Sequence, residues 1–198
     1  FEETVLKLRP YEKNKGEINN LYRKLLEELE QKEGSKQMND CIEQAFQDIK
    51  DIALDKDRDC LKIGITGEIY TVIEDFVNLD IGKKLNDLGA EVYKSYSVSS
   101  WVVEHALYRA VGRSRERDIR NAAKPYLKTL IGGHAQESIG HCVLYAKEGY
   151  DGVIQIMPFS CMPEIVAMSI LPHVQKDWNI PILTLIVDEM TGEAGFIT

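Results

Sequence analysis

The sequence lacks a hydrophobic run long enough to cross a membrane and a surplus of positive charge, and we expect no secretory leader. A spanning helix needs about 18 consecutive apolar residues, and no stretch approaches that length. The first ten residues are acidic and mixed, which is not the pattern of a signal peptide. The net charge is −8 over 198 residues, whereas a duplex nucleic-acid surface needs a basic patch. We therefore expect an acidic protein with neither a membrane nor a nucleic acid as partner.

Cysteine is scarce as well. The chain has four, and no two of them form a CxxC pair. They are Cys41, Cys60, Cys142 and Cys161. This wide spacing argues against a disulfide framework, and a closed zinc site wants four ligands at a recognisable spacing. The expectation is reduced thiols and a cytoplasmic location.

Nucleotide-binding fingerprints are also absent. The two glycine-containing turns read GITGEI (residues 64–69) and GGHAQE (residues 132–137). Neither continues into the Gly-Lys-Ser/Thr of a Walker A loop, and neither fits GxGxxG. Nucleotide hydrolysis by this segment alone is therefore disfavoured.

The spacing of apolar residues divides the chain into two parts. Residues 17–33 and 36–54 each carry one apolar face at helical spacing, which predicts a helical hairpin and linker over 1–58. Strands alternate with helices over 59–198, which predicts a three-layer, Rossmann-like α/β domain with a mainly parallel sheet. Its strands are predicted at 61–66, 90–96, 152–157 and 182–187. Its helices are predicted at 81–89, at 101–130 with a break near Ala123, from the 132–140 turn to Gly149, and at 163–174. Both ends read as cut, so we expect a fragment of a longer polypeptide.

Polar residues follow three of the predicted strands. Glu68 follows the first, Cys161 the third and Asp188 the fourth, while His134 lies in a glycine-rich turn. Ligands of open α/β sheets bind beyond the carboxyl ends of the strands. We therefore expect these four residues to line one shallow concavity. Cys161 would be the metal ligand, because a helix N-terminus stabilises a thiolate.

Each of these residues also has a structural explanation that stays open. Cys161 could be a packed cysteine in a strand–helix corner, Glu68 an exposed loop residue, His134 a capping or surface residue, and Asp188 a helix cap. The other helical cysteines, Cys41 and Cys142, fall on apolar stripes and are predicted to lie in the core. The adjacent pair of His141 and Cys142 is a weak metal site, since neighbours on a helix point about 100° apart.

Four segments carry a resemblance to a known family. They are residues 67–92, 132–140, 148–172 and 180–198. Together they closely resemble the acyl-CoA dehydratase activase-related proteins, and through them the iron–sulfur subunits of 2-hydroxyacyl-CoA dehydratases and benzoyl-CoA-type reductases. The leading helices carry little of this likeness.

The resemblance implies stacked Rossmann-like domains that hold a 4Fe–4S cluster by cysteines from different domains. An ATP-dependent activase supplies single electrons, and the dehydratases use them to form a ketyl radical from a 2-hydroxyacyl-CoA. Cys161 matches a cluster cysteine, and Asp188 with Glu189 and Glu193 matches the closing motif of the family. The other cluster ligands would lie outside this sequence, so the fragment alone is expected to bind no intact cluster.

Two functions follow as hypotheses. The chain is either a domain of a redox enzyme that takes electrons from an activase and acts on an acyl-CoA, or a noncatalytic domain that docks an activase or partner subunit. The residues do not identify an acyl group, and an oligomer is compatible with either function.

Overall fold

The computed structural model describes residues 1–97 and 115–192. Its α-helices are α1 (Glu2–Leu8), α2 (Glu17–Glu30), α3 (Ser35–Asp51), α4 (Ile69–Ile73), α5 (Ile81–Asp87), α6 (Arg115–Ala123), α7 (Ala135–Lys147) and α8 (Met162–Trp178). Its strands are β1 (Lys62–Gly67), β2 (Glu91–Lys94), β3 (Gly152–Pro158) and β4 (Ile182–Val187). No helix in these two ranges is long and apolar enough to cross a membrane.

The four strands form one parallel sheet in the order β2-β1-β3-β4. The register pairs Ile65 of β1 with Ile154 of β3, and Ile154 with Leu183 of β4. Each strand lies where the sequence predicted it, with ends that differ by at most two residues. The predicted α/β class with a Rossmann-like, three-layer architecture is confirmed. The apolar strands are the reason, because a parallel sheet is covered on both faces.

The chain divides into two compact units. The first comprises residues 1–61 and 82–92. Its helices α2 and α3 pack against each other, as the predicted hairpin requires. Val5, Ile18 and Ile49 form the buried centre of this unit. Segment 82–92, which the sequence assigned to the α/β part, thus groups with the leading helices.

Cys41 on α3 does not reach this core. It is only half-buried, whereas its neighbours on the stripe, Ala45 and Ile49, are buried. The prediction that Cys41 is a core residue is therefore wrong. Periodicity locates the apolar face of a helix, but it does not tell how far the edge of that face is covered.

The second unit comprises residues 62–81 and 93–198, and it contains β1, β3 and β4. Helices α6, α7 and α8 share a core cluster with β3, in which Ile139, Cys142 and Val153 are buried. The predicted core position of Cys142 is thus confirmed. Helix α8 continues past its predicted end at Val174 to Trp178.

Much of the predicted helix at 101–130 lies outside the described residues. The described part, α6, ends at Ala123. This agrees with the break predicted there from Pro125, which disfavours helical geometry in the residue before it.

Gly67 ends β1 in a conformation that only glycine adopts easily. Its φ angle is +137°, and an added Cβ would collide with the carbonyl oxygen of Ile156 on β3. Gly149, after α7, also has a positive φ of +77°, but no atom lies within 4 Å of the position of its Cβ. A side chain at Gly149 would therefore introduce backbone strain alone, whereas a side chain at Gly67 would introduce both strain and a steric collision.

We expect Gly67→Ala to destabilise the protein by about 2–4 kcal/mol more than Gly149→Ala, because strain and collision add at the first position. Urea unfolding of both variants, followed by circular dichroism, measures the difference. An equal loss of unfolding free energy in the two variants would contradict this prediction, because it would mean that β1 and β3 move apart at little cost.

Candidate functional site at the carboxyl edge of the sheet

Cys161 lies in the short turn between β3 and α8. It is the N-cap residue of α8, with Pro163 in the first turn of the helix. Its N–H donates to the carbonyl of Pro158 (3.2 Å), and its carbonyl accepts from Ile165 (2.9 Å). The side chain is half-buried. The thiol thus begins a helix at the end of a central strand, as the sequence predicted.

The loops after β1, β3 and β4 leave the sheet side by side. The N–H of Glu68 donates to the carbonyl of Ile156 (3.0 Å), and the N–H of Phe159 donates to the carbonyl of Val187 (2.8 Å). The first bond ties the β1 loop to β3, and the second ties the β3 loop to β4. Glu68 and the cysteine turn therefore share one edge with Asp188, the residue that follows Val187.

Two of the predicted site residues hold their own loops in shape. The carboxylate of Glu68 accepts the N–H groups of Tyr70 (3.1 Å) and Thr71 (3.0 Å), so it caps α4. The carboxylate of Asp188 accepts from the hydroxyl of Thr191 (2.9 Å). Both residues therefore have a structural task, and their role in binding a cofactor remains a prediction.

His134 occupies the N-cap position of α7 without a side-chain cap hydrogen bond. Its ring meets Tyr96 edge-on, with 5.5 Å between the ring centroids. The buried ring of His141 meets the same tyrosine at 5.8 Å. Both histidines thus take part in one aromatic cluster.

Sequence reasoning missed the most informative residue of this edge, Glu164. The side chain is 1% exposed. Its two carboxylate oxygens accept from the hydroxyl of Ser138 on α7 (2.9 Å) and from the amide of Gln155 on β3 (2.7 Å). The amide oxygen of Gln155 accepts in turn from Thr184 on β4 (2.9 Å). One buried carboxyl group therefore ties α8 to α7, β3 and β4.

The charge of Glu164 depends on the predicted site residues. Burial raises the pKa of its carboxyl group, and the hydrogen bonds from Gln155 and Ser138 oppose that rise. His134 favours the ionised form of Glu164, whereas Glu68 disfavours it. Glu164 therefore couples electrostatically to both the His134 and the Glu68 turn.

A row of polar side chains crosses the sheet below Glu164. The register places Thr66 beside Gln155, and Gln155 beside Thr184. The hydroxyl of Thr66 is buried and has no hydrogen-bond partner in the part of the chain that the structure describes. Polar groups therefore occupy the centre of three neighbouring strands, where apolar side chains are usual.

Two glycines of the edge lie directly against other parts of the protein. A Cβ on Gly133 would lie 2.6 Å from Pro163 Cγ, in the first turn of α8. Gly67 lies against Ile156 in the same way. At these two positions the protein's own atoms occupy the place of a Cβ, whereas no atom lies within 4 Å of that place at Gly132.

Among the described residues, no group of three or more His, Cys, Asp or Glu side chains could hold a metal ion. The four cysteines differ in their surroundings. Cys142 is fully buried, and burial raises the pKa of its thiol well above the usual range. Cys41 and Cys60 belong to the first unit. Cys161 is therefore the half-buried thiol of the second unit, and its role as a metal ligand stays a prediction.

A shallow depression lies away from this edge, where α8 ends and β4 begins. It is lined by Pro172, Gln175, Lys176, Asn179, Ile180 and Pro181. In a parallel sheet, the amino ends of the strands lie opposite the carboxyl ends. This depression is thus separate from the candidate site.

A sequence signal for Glu164 existed. It is the sole charged residue between Asp151 and Lys176. An acidic residue next to a proline is, however, typical of the first turn of any helix, because it suits the helix dipole. The burial of Glu164 is therefore visible only in the folded chain.

We expect Glu164→Gln to alter how the unfolding free energy depends on pH. Because the pKa of Glu164 is raised in the folded state, the unfolded chain loses this proton first as the pH rises. The contribution of Glu164 to the stability of the wild type should therefore fall from about pH 4 upward, until the folded carboxyl group also ionises. In Glu164→Gln this contribution is absent, so its unfolding free energy should fall less than that of the wild type between pH 4 and pH 8, as measured by urea unfolding.

The matched control is Glu148→Gln, which replaces an exposed carboxyl group at the end of α7 and leaves the hydrogen bonds of Glu164 in place. Glu164→Ala removes the acceptors of Ser138 and Gln155 and leaves a cavity, so it should cost about 2–4 kcal/mol. A Glu164→Gln profile that superimposes on the wild-type profile would contradict the expected titration.

Comparison with protein-family models, curated proteins and solved structures found no match to this chain.

Proposed function

We propose that this chain is the Rossmann-like domain of an iron–sulfur redox protein that accepts single electrons from an ATP-dependent activase. The proposal includes a 4Fe–4S cluster and a cytoplasmic location. It follows the resemblance of the strand-end segments to subunits of 2-hydroxyacyl-CoA dehydratases and benzoyl-CoA-type reductases. All four cysteines are free, which agrees with a reducing compartment.

One observation carries the proposal: the placement of Cys161. The residue caps α8 at the carboxyl end of β3 and is half-buried. Helix N-termini offer free N–H groups and a positive dipole end, both of which stabilise a thiolate. A thiolate is the form in which cysteine binds iron.

The donor set fits a cluster only in part. Cys161 can supply one thiolate, whereas Cys142 is enclosed in the core of the same unit. A 4Fe–4S cluster ordinarily takes four thiolates and, when bound, supplies a site that accepts and releases one electron at a time. In this proposal, the remaining ligands come from outside the described residues. The described residues then hold Cys161 in place through the β3–α8 turn and the buried Glu164 below it.

A second candidate function is a noncatalytic domain that docks an activase or a partner subunit without turnover of acyl-CoA. Two glycine contacts are an argument for it. A Cβ on Gly67 would collide with Ile156 and a Cβ on Gly133 with Pro163, so at these two positions the backbone lies against the protein itself and not against a ligand. The two candidates share Cys161 and differ in whether an acyl-CoA binds.

The test uses the full-length polypeptide that contains this sequence, purified without oxygen. Cys161→Ser should lower the iron and sulfide content and abolish one-electron reduction, because serine does not replace the thiolate. Iron and sulfide analysis and the visible spectrum before and after reduction measure the effect.

Cys41→Ser and Cys142→Ser are the matched controls, and both should keep the iron content of the wild type. Iron and reduction unchanged in Cys161→Ser would overturn the proposal. Calorimetric titration with a 2-hydroxyacyl-CoA separates the two candidates: heat of binding supports the redox enzyme, and its absence in a protein that holds a cluster supports the docking domain.

A further inference from the structure

A continuous series of aromatic rings runs along α7 in the second unit. His134 contacts Tyr96, and Tyr96 contacts His141, with ring centroids 5.5 and 5.8 Å apart. His141 contacts Tyr145 (5.8 Å), and Tyr145 contacts Tyr150 (4.6 Å). We call these five rings the aromatic chain. Paired aromatic side chains prefer separations of this size, so each ring of the chain is in contact with the next.

The aromatic chain joins the two ends of α7. The turn that carries His134 packs on Pro163 in the first turn of α8, the helix that Cys161 caps. Tyr150 instead follows α7 and precedes β3, so it lies near the amino end of that strand. Between His134 and Tyr145 the helix rises by about 16 Å. The chain therefore leads from the carboxyl edge of the sheet toward the opposite edge.

The fold makes room for the central tyrosine of the aromatic chain. Tyr145 is 4% exposed, and its ring lies on Gly64 of β1, where an added Cβ would collide with the ring. Its hydroxyl donates to the carbonyl of Tyr93 (3.4 Å). Tyr93 in turn contacts Tyr150 edge-on, with 4.9 Å between the ring centroids. The buried phenol of Tyr145 is thus held in place between the half-buried rings of Tyr96 and Tyr150.

The chemistry of these rings goes beyond packing. Tyrosine gives up a single electron more readily than most side chains, and its phenolic proton leaves with the electron. Phenylalanine would fill the same space without a hydroxyl that needs a partner, yet three of the five rings are phenols. His141 lies between Tyr96 and Tyr145, so at most one ring separates neighbouring phenols. The aromatic chain therefore has the composition and the spacing of a path for single electrons.

We propose that the aromatic chain is a relay that carries one-electron oxidation from the carboxyl edge of the sheet to Tyr150. An oxygen-derived oxidant of the peroxyl-radical class takes one electron from Tyr96 and one proton from water, and becomes a hydroperoxide. Tyr145 then reduces Tyr96, and Tyr150 reduces Tyr145. In the net reaction Tyr150 loses one electron and releases its phenolic proton to water. A dissolved thiol restores Tyr150 by giving it one hydrogen atom.

The relay moves oxidation away from the turn that carries Cys161. It needs no iron and no acyl-CoA, and it therefore stands apart from the proposed function. Iron analysis of the same samples keeps the two separate, because the relay is expected with or without iron.

The experiment places an oxidant at the carboxyl edge of the full-length polypeptide. Phe159 is 69% exposed in the loop after β3, so Phe159→p-azidophenylalanine provides a handle for a ruthenium polypyridyl photosensitiser and leaves Cys161 in place. Oxidation of the sensitiser by a flash and a soluble quencher should give the transient absorbance of a tyrosyl radical. Spin trapping with peptide mass spectrometry should then locate the adduct on Tyr150.

Tyr145→Phe is the decisive variant, because it keeps the ring and removes the hydroxyl. It should retain the adduct on Tyr96 and lose the adduct on Tyr150. The matched control is Tyr126→Phe, at a half-buried tyrosine of the same unit whose hydroxyl bonds to Asp177 and Trp178. The control should form as much adduct on Tyr150 as the protein with unchanged tyrosines.

Equal adduct on Tyr150 in Tyr145→Phe and in the control would overturn the relay, because oxidation would then reach Tyr150 without Tyr145. Absence of the adduct when all tyrosines are present would overturn it as well and leave the aromatic chain a packing feature. If Tyr145→Phe lowers the unfolding free energy, Tyr96→Phe tests the preceding step at a half-buried position. Tyr96→Phe should lose the adduct on Tyr150, and its persistence would reject the relay.

Discussion

The buried carboxyl group of Glu164 is the constraint on which the candidate site depends. Glu164 lies in the first turn of α8, and its carboxyl group accepts hydrogen bonds from residues of α7 and β3. Gln155 extends the connection to β4 through Thr184. A buried carboxyl group is costly unless its acceptors are satisfied, so the four elements must keep their relative positions. The hydrogen bonds of Glu164 therefore fix the first turn of α8, and with it the turn that carries Cys161.

The same carboxyl group gives the site an electrostatic character. His134 and Glu68 act on its charge in opposite directions, and they come from different turns. A change in charge at one of these turns thus alters the energy of Glu164 and of the helix that Cys161 caps. Buried carboxyl groups with a shifted pKa are frequent at functional sites, although structural networks contain them as well. The hydrogen bonds of Glu164 give it a structural role. Nothing in that role requires Glu164 to take part in chemistry.

The carboxyl edge of the sheet is closely packed inside, and it exposes apolar side chains at the surface. Gly67 and Gly133 let the loops pack directly on β3 and α8, which fills the space between them. Phe159, Met162 and Met190 instead point their exposed surface to solvent.

The sequence by itself determined the class of fold, the four strands and the edge at which Cys161 lies. Apolar strands that alternate with helices allow little besides a parallel sheet, and Pro163 marks the start of α8 locally. The sequence alone did not reveal that Glu164 is buried, that Cys41 is half-exposed or that segment 82–92 groups with the leading helices. These features depend on contacts between residues distant in the chain. Periodicity gives the face on which a side chain lies, but only the packing of the elements decides what covers that face.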